Sequence, residues 1–170
     1  RQDIGATMQR LDMREQVLAA FDELAKARAA LIALAEKNPD AIIPSYTWGV
    51  QAQPITLGHY LLSYAGAFAR TAERMRESWV RLNLSPLGAA ALGTSSFPVN
   101  RPRLAELLGF DSVLENSFDA NQLSPIDSGA ELVSNAAAGA LTIGGLIADI
   151  TAQYAQTKPW ILMAEGDLTG

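Results

Sequence analysis

Apolar residues recur every three or four positions along three separate stretches of the chain, and that spacing predicts three long helices. In the first, Ile4, Met8, Leu11, Leu18, Phe21, Leu24 or Ala25, Leu31 or Ile32, and Ala35 make one stripe. Glu15 and Arg28 stand where an apolar residue is due, and their long stems can lie on the stripe with the charge in water. Arg10, Arg14, Asp22, Glu23 and Lys26 fall mainly off it. Asn38-Pro39 stops the run, which sets a helix over about 4–37, roughly 50 Å long at 1.5 Å per residue. A second helix spans about 55–82, with Leu57, Leu61, Tyr64, Phe68, Met75, Trp79 and Leu82 on its stripe and Arg70, Glu73, Arg74, Arg76, Glu77 and Arg81 on the other side. The third spans about 125–156, with Ser124 as its expected N-cap. It is apolar on two faces, one through Ala130, Val133, Ala137 and Gly144, the other through Leu132, Ala136, Ile143 and Leu146. Such a helix needs several neighbours, more than this chain supplies, so contact with other subunits is expected. Interior glycines at 139, 144 and 145 suit close helix approach. The fold class that follows is all-α, an elongated bundle of three long helices.

The connections carry a different pattern. Residues 44–59 join the first two helices and bring Ser45, Tyr46, Thr47, Gln51 and Gln53 together with Gly49. Pro54 suits a first helical turn, so the stretch is expected to be a polar loop running into a helix N-terminus, where a substrate carboxylate near Thr47 would be favoured. The alternative is an ordinary capped connection. Residues 84–101 are expected to be irregular, since Pro86, Gly88, Gly93 and Pro98 break both periods. A loop of that length inside a small domain is usually functional. A short helix is expected over 102–108, stopped by Gly109.

Composition removes several function classes. A formal charge of −5 argues against nucleic acid, which needs a basic face. With no cysteine and one histidine, thiolate metal sites, disulfides and His-rich metal sites are excluded, and no cofactor is implied. The longest stretch free of charge and proline, 132–148, is shorter than the roughly 20 apolar residues of a bilayer span, so no membrane helix is expected. No signal peptide is visible in the charged first fifteen residues, and a cytoplasmic location is expected.

Four motifs, in order, resemble one family. Tyr46-Thr47-Trp48-x-x-x-Ala52-Gln53-Pro54-Ile55-Thr56-x-Gly58-His59 resembles the second signature region of the aspartase/fumarase superfamily, and its argininosuccinate lyase branch in particular. Arg1-Gln2-Asp3-Ile4-x-Ala6-Thr7 resembles the tail of the first signature region. Ser85-Pro86-Leu87-Gly88-Ala89 with Gly93-Thr94-Ser95-Ser96-Phe97-Pro98, and Glu115-Asn116-Ser117-Phe118-Asp119-Ala120, match the same branch. Three departures stand out. Trp48 replaces the histidine usual after the threonine, Val50 replaces a leucine, and Gln122-Leu123-Ser124-Pro125 stands where an arginine-containing Ser-Asp-Arg-Asp is usual. The cycloisomerase branch that handles carboxymuconate also resembles this chain in carrying tryptophan at that place.

The resemblance implies a lyase subunit that releases fumarate from a succinyl-type dicarboxylate by β-elimination. Thr47 and Trp48 would be catalytic, and Arg1, Gln2, Thr47, Gln53, Thr94 and Ser95 would bind substrate. It implies a homotetramer whose sites take motifs from several subunits. It also implies that the chain is the central helical domain, over 1–170, of a subunit more than twice as long. The N-terminal domain, a Ser-Ser-x-Met-Pro loop with the catalytic serine following the segment 164–170, and a C-terminal domain would lie outside it. The chain alone is then expected to be inactive. The readings that compete are a carboxymuconate cycloisomerase-like enzyme and a non-catalytic helical scaffold. Trp48 either lines a pocket or is a packed aromatic. Arg1 either meets a carboxylate or is simply solvated. His59, inside the helix, is expected to be structural, with a local hydrogen-bond partner.

Overall fold

The computed structural model describes residues 1–162; the segment 164–170, where the serine loop is expected to begin, lies outside them. Four α-helices dominate: α1 (Gln2–Lys37), α2 (Leu57–Leu82), α3 (Arg101–Leu107) and α4 (Ser124–Tyr154). Two short strand pairs accompany them, β1 (Ile42–Thr47) antiparallel to β2 (Val50–Thr56), and β3 (Leu84–Ser85) parallel to β4 (Ser112–Val113). The chain forms two compact units, Arg1–Leu24 with Thr71–Ala136, and Ala25–Arg70 with the chain from Ala137. Each long helix contributes a segment to both.

In the first unit, the fully buried face of α1 keeps only Leu24 of the apolar stripe. Ile4, Met8, Leu18 and Phe21 are exposed, while Asp3, Ala6, Thr7, Arg10, Val17 and Leu24 are buried. Arg10, expected on the wet side, is 1 % exposed. Its Nη1 donates to the carbonyls of Arg81 (2.9 Å) and Leu82 (2.7 Å), and its Nη2 to Ser124 Oγ (2.5 Å). The reason is local: the last carbonyls of α2 have no partner within their own helix and need a donor. Burial pushes the Arg10 pKa down from its ordinary value, and Asp127 and Asp119 oppose that shift.

Arg14 donates to the Leu108 carbonyl (3.1 Å) and lies over Phe110 (4.8 Å to the ring centroid) and Trp79 (5.7 Å). α3 begins one residue earlier than expected, with Asn100 Oδ1 accepting from Arg103 N, and Gly109 ends that segment with φ +68°. Ser124 is not an N-cap. A π-helical turn, Asp119–Leu123, runs directly into α4, and the capping acceptor is Asn116 Oδ1, which receives the N–H groups of Phe118 (2.9 Å) and Asp119 (3.0 Å).

The second unit holds the main departure from expectation. Where a polar loop is expected over 44–59, residues 42–56 form a hairpin, closed by Trp48 (φ +54°) and Gly49 (φ +78°), and α2 takes up the rest. Two consecutive positive-φ residues make the two-residue turn whose twist suits antiparallel strands. Pro54 sits in β2 opposite Pro44, not in a helical turn. α2 therefore starts at Leu57, with the Leu57 N–H on the Ala41 carbonyl (2.8 Å) and the His59 N–H on Thr56 Oγ1 (3.1 Å). Ala35, Ile43, Leu57 and Leu61 form a small core, joined by Leu31, Ile55, Tyr60 and Trp160.

α4 leaves Ile126, Val133, Leu141, Ile143 and Ile147 exposed. By length and composition alone the helical run Asp119–Tyr154 could cross a membrane, and its most apolar window is 6 % buried in the single chain.

Candidate functional site

The sequence-predicted residues fall into two groups, one in each unit. In the first unit, Arg1 and Gln2 are exposed at the start of α1. Next to them Asp3, quoted in the motif but not counted as a site residue, is buried. Its Oδ2 accepts the N–H groups of Gly88 (2.9 Å) and Ala90 (3.2 Å) and so ties the α1 start to the loop 86–100. A carboxylate is the natural acceptor for two converging backbone donors, since charged hydrogen bonds are the stronger ones. Arg101 holds the same loop from its other end, donating to the carbonyls of Leu87 (3.4 Å), Leu114 (2.5 Å) and Glu115 (3.1 Å). Ser117 Oγ donates to the Leu92 carbonyl (2.7 Å).

Between those ties the loop is exposed throughout 91–100. Thr94 sits at φ +66°, a backbone region that a β-branched residue occupies only under strain. Ser95 Oγ accepts from the Phe97 N–H (3.2 Å), and this bond leaves its own proton free to donate. The arrangement is an exposed, strained set of hydroxyl and N–H donors on an anchored base, which suits an anionic ligand.

In the second unit, Thr47 and Gln53 are both exposed on the hairpin. Thr47 pairs with Val50 beside the turn, with the whole of β2 between it and α2. At the α2 N-terminus, where an anion site is expected, the Ala41 carbonyl and Thr56 Oγ1 already accept two first-turn N–H groups. A bulge places Ser45 against Gln53, whose carbonyl accepts from Ser45 Oγ (2.7 Å) and whose N–H donates to it (3.3 Å). That fixes the Gln53 backbone and leaves its amide side chain outward. Trp48 is 103 % exposed at the hairpin tip in the single chain. The imidazole of His59 is also exposed; its local hydrogen bond is made by the backbone N–H alone. Among the described residues no cluster of histidine, cysteine, aspartate or glutamate suits a metal ion.

A model of the family described as Lyase matches residues 1–159. The chain belongs to that lyase family. A lyase-family relative, the argininosuccinate lyase of Natronomonas pharaonis, is 43% identical over 150 residues, covering 88% of this chain and 30% of that protein. Among solved structures, EDDS lyase in complex with formate superposes with a TM-score of 0.89 at 33% identity, over 92% of this chain and 31% of that one. The 3-carboxy-cis,cis-muconate lactonizing enzyme from Pseudomonas putida follows at TM-score 0.81 and 26% identity, over 93% and 36%. The chain thus spans under a third of the length of its argininosuccinate lyase relative. The fumarase/aspartase-type helical fold expected from the four motifs is the fold of these lyases.

Two features escaped sequence reasoning. Asp3 carried a signal, since it lies inside a quoted motif. Tyr60, Asp149 and Gln153 on the helices and Trp160 beyond α4, which line a cavity beside the hairpin, carried none, because nothing in their spacing sets them apart.

Proposed function

We propose that the chain is the central helical domain of a subunit of a fumarate-releasing C–N lyase, similar to argininosuccinate lyase, that acts on a small succinyl-type dicarboxylate by β-elimination. The observation that carries this reading is the match to the lyase family over residues 1–159, a stretch that includes all four motifs, with 43% identity to an argininosuccinate lyase over 150 residues. The geometry adds to it. Abstracting a proton beside a carboxylate builds negative charge, which needs preorganised donors. The anchored loop around Thr94 and Ser95 offers such donors in one unit, and Arg1 and Gln2 are exposed in the same unit. Thr47, Trp48 and Gln53 form a second exposed group on the hairpin. Thr47 would donate to substrate. Trp48 would orient it through its indole N–H but cannot move a proton near neutral pH, so the acid or base role belongs to another group.

Argininosuccinate itself is in doubt, since Trp48 and Ser124 stand where that branch usually has histidine and arginine. A cycloisomerase acting on carboxymuconate is the second reading, favoured by Trp48 and by the likeness to the lactonizing enzyme. The test is an assay of the full-length protein for fumarate or lactone formation, by ultraviolet absorbance, against argininosuccinate, aspartate, adenylosuccinate and carboxymuconate. Fumarate from any succinyl compound supports the lyase; lactone alone supports the second reading. No turnover on any of the four leaves a helical scaffold.

We further propose a soluble, cytoplasmic homotetramer in which α4 is covered by other subunits and active sites draw motifs from several chains. The exposed Val133, Leu141, Ile143 and Ile147 motivate it, because apolar surface of this extent is an aggregation liability. Gly144 is the probe. A Cβ there meets nothing within 4 Å in the single chain, so Gly144→Leu has room unless another subunit packs on it. In a tetramer it overpacks a helix contact at about 1–3 kcal/mol per site, and sedimentation shows smaller species. Unchanged assembly sinks the proposal.

A further inference from the structure

Beside the hairpin, the second unit contains a cavity of about 390 Å³. Its lining includes Tyr46, Trp48, Tyr60, Asp149, Gln153 and Trp160. The chemistry is the reverse of a dicarboxylate site. Among the described residues no lysine or arginine lines the cavity, and Asp149 is the one formally charged side chain in its lining. Asp149 Oδ2 accepts the hydroxyls of Tyr60 (2.8 Å) and Tyr64 (3.0 Å). Among the described residues nothing bonds Oδ1, which is the oxygen left for a ligand. Tyr60 meets Tyr64 edge-on at 5.2 Å and Trp160 edge-on at 5.6 Å, so the wall is a rigid aromatic one.

Gln153 supplies a second, independent observation. It lies one turn beyond Asp149 on α4, so both side chains share a face. It is 5 % exposed, and its Oε1 is buried with no hydrogen-bond partner among the described residues. Buried acceptors are normally satisfied, so a donor is missing here. Trp160 Nε1 is the complementary case, a buried donor without an acceptor. A carboxylate oxygen, an unpaired amide oxygen and aromatic rings together favour a cation with N–H donors. The free indole N–H favours a neutral acceptor on the same molecule.

The geometry points to a binding site for a small organic cation that also carries a neutral acceptor, such as an amino alcohol, held between Asp149, Gln153 and the aromatic wall. Its ammonium meets Asp149 Oδ1 and Gln153 Oε1, and its hydroxyl accepts from Trp160 Nε1. The site does not rest on the lyase reading, because binding is read without turnover. It is also unlike the exposed donor loop around Thr94, which suits anions.

The test is calorimetric titration of the full-length protein with three probes of equal length and different charge: aminobutanol, butanediol and hydroxybutyrate. Tryptophan fluorescence follows the same titrations. Aminobutanol is expected to saturate one site per chain, with both other probes at least about tenfold weaker, the scale of one charged hydrogen bond. Asp149→Asn should weaken aminobutanol by about tenfold, and Gln153→Leu by a smaller factor, with helical circular dichroism unchanged. Hydroxybutyrate or butanediol binding as tightly as aminobutanol overturns the proposal, as does absence of saturable binding. So does unaltered aminobutanol affinity in a folded Asp149→Asn protein. The comparison of probes on the unsubstituted protein needs no variant, so it decides the matter even if Asp149→Asn fails to fold.

Discussion

In the unit built from Arg1–Leu24 and Thr71–Ala136, charged side chains point inward and hold backbone groups. Asp3 gathers the N–H groups of Gly88 and Ala90, Arg10 the last carbonyls of α2, and Arg101 the carbonyls of 87, 114 and 115. In the unit built from Ala25–Arg70 and the chain from Ala137, Thr47, Trp48, Gln51, Gln53 and His59 stand in solvent around a small apolar core. The difference has a physical origin. Short loops expose many backbone donors and acceptors that no sheet or helix satisfies, and once buried they must find side-chain partners. A hairpin satisfies its own backbone and leaves its side chains available. The polar residues that tie the first unit are therefore structural, whereas Thr47, Trp48 and Gln53 of the hairpin keep their side chains in solvent.

The sharpest way to break that contrast is Arg10→Met. It strands two carbonyls and the Ser124 hydroxyl at about 1–3 kcal/mol for each buried unsatisfied group, so urea unfolding should show a loss of about 3 kcal/mol or more. Gln53→Ala in the other unit should stay within about 0.5 kcal/mol, as exposed substitutions do. Equal effects from the two changes would end the comparison. Gly88→Ala comes next. The added Cβ would lie 2.8 Å from Arg101 Cγ and 2.9 Å from Val99 Cγ1, at φ +82°. A loss of about 1–3 kcal/mol is expected from overpacking and strain, together with loss of whatever activity depends on the Thr94 loop. A full-length Gly88→Ala protein with normal stability and turnover would show that the loop is not held as described. Asn116→Ala removes the acceptor that caps the π-helical turn and α4, for about 1 kcal/mol. Thermal unfolding should register it without any change in ligand binding at the hairpin.

The three long helices are legible because apolar periods of 26 to 36 residues leave little alternative, and their ends differ from the expected ones by at most two residues. The family was legible too, from motifs that keep residue identities rather than patterns. The hairpin was not. Pro54 reads as a helix start, whereas the β-branched and aromatic residues Ile42, Ile43, Tyr46, Thr47, Val50 and Ile55 on either side of Trp48-Gly49 form the strands. Facing prolines opposite each other in a two-stranded ribbon cost no inner ladder bond, so the sequence rule against strand proline did not apply. The buried face of α1 was misread for a different reason. Periodicity ranks arginine as outward, but Arg10 turns inward to the open end of another helix, a partner that lies 71 and 72 residues away in sequence. The cavity around Asp149 depends on the meeting of three segments and leaves no trace in any one of them.

The smallest expected effect concerns pH, and it belongs to the second unit. Burial pushes the phenol pKa values of Tyr60 and Tyr64 up; hydrogen bonds to Tyr64 and Asp149 add to the shift at Tyr60, while at Tyr64 the bond with Tyr60 opposes it and Asp149 adds to it. In the unfolded chain a tyrosine ionises near about pH 10. A group whose folded pKa is raised contributes stability that is fully present below the unfolded value and is lost as pH rises towards the folded one. Above about pH 10 the unfolded chain binds fewer protons than the folded chain, so stability should fall with rising pH. The group is only partly shielded from water, which keeps the effect modest. Tyr60→Phe and Tyr64→Phe together should flatten the alkaline limb of a stability–pH curve measured by urea unfolding. Phenolate absorbance of the folded, unsubstituted protein should show two tyrosines titrating late. An alkaline limb unchanged by the double substitution would mean that Asp149 and its tyrosines are not the coupled group that the hairpin cavity is built on.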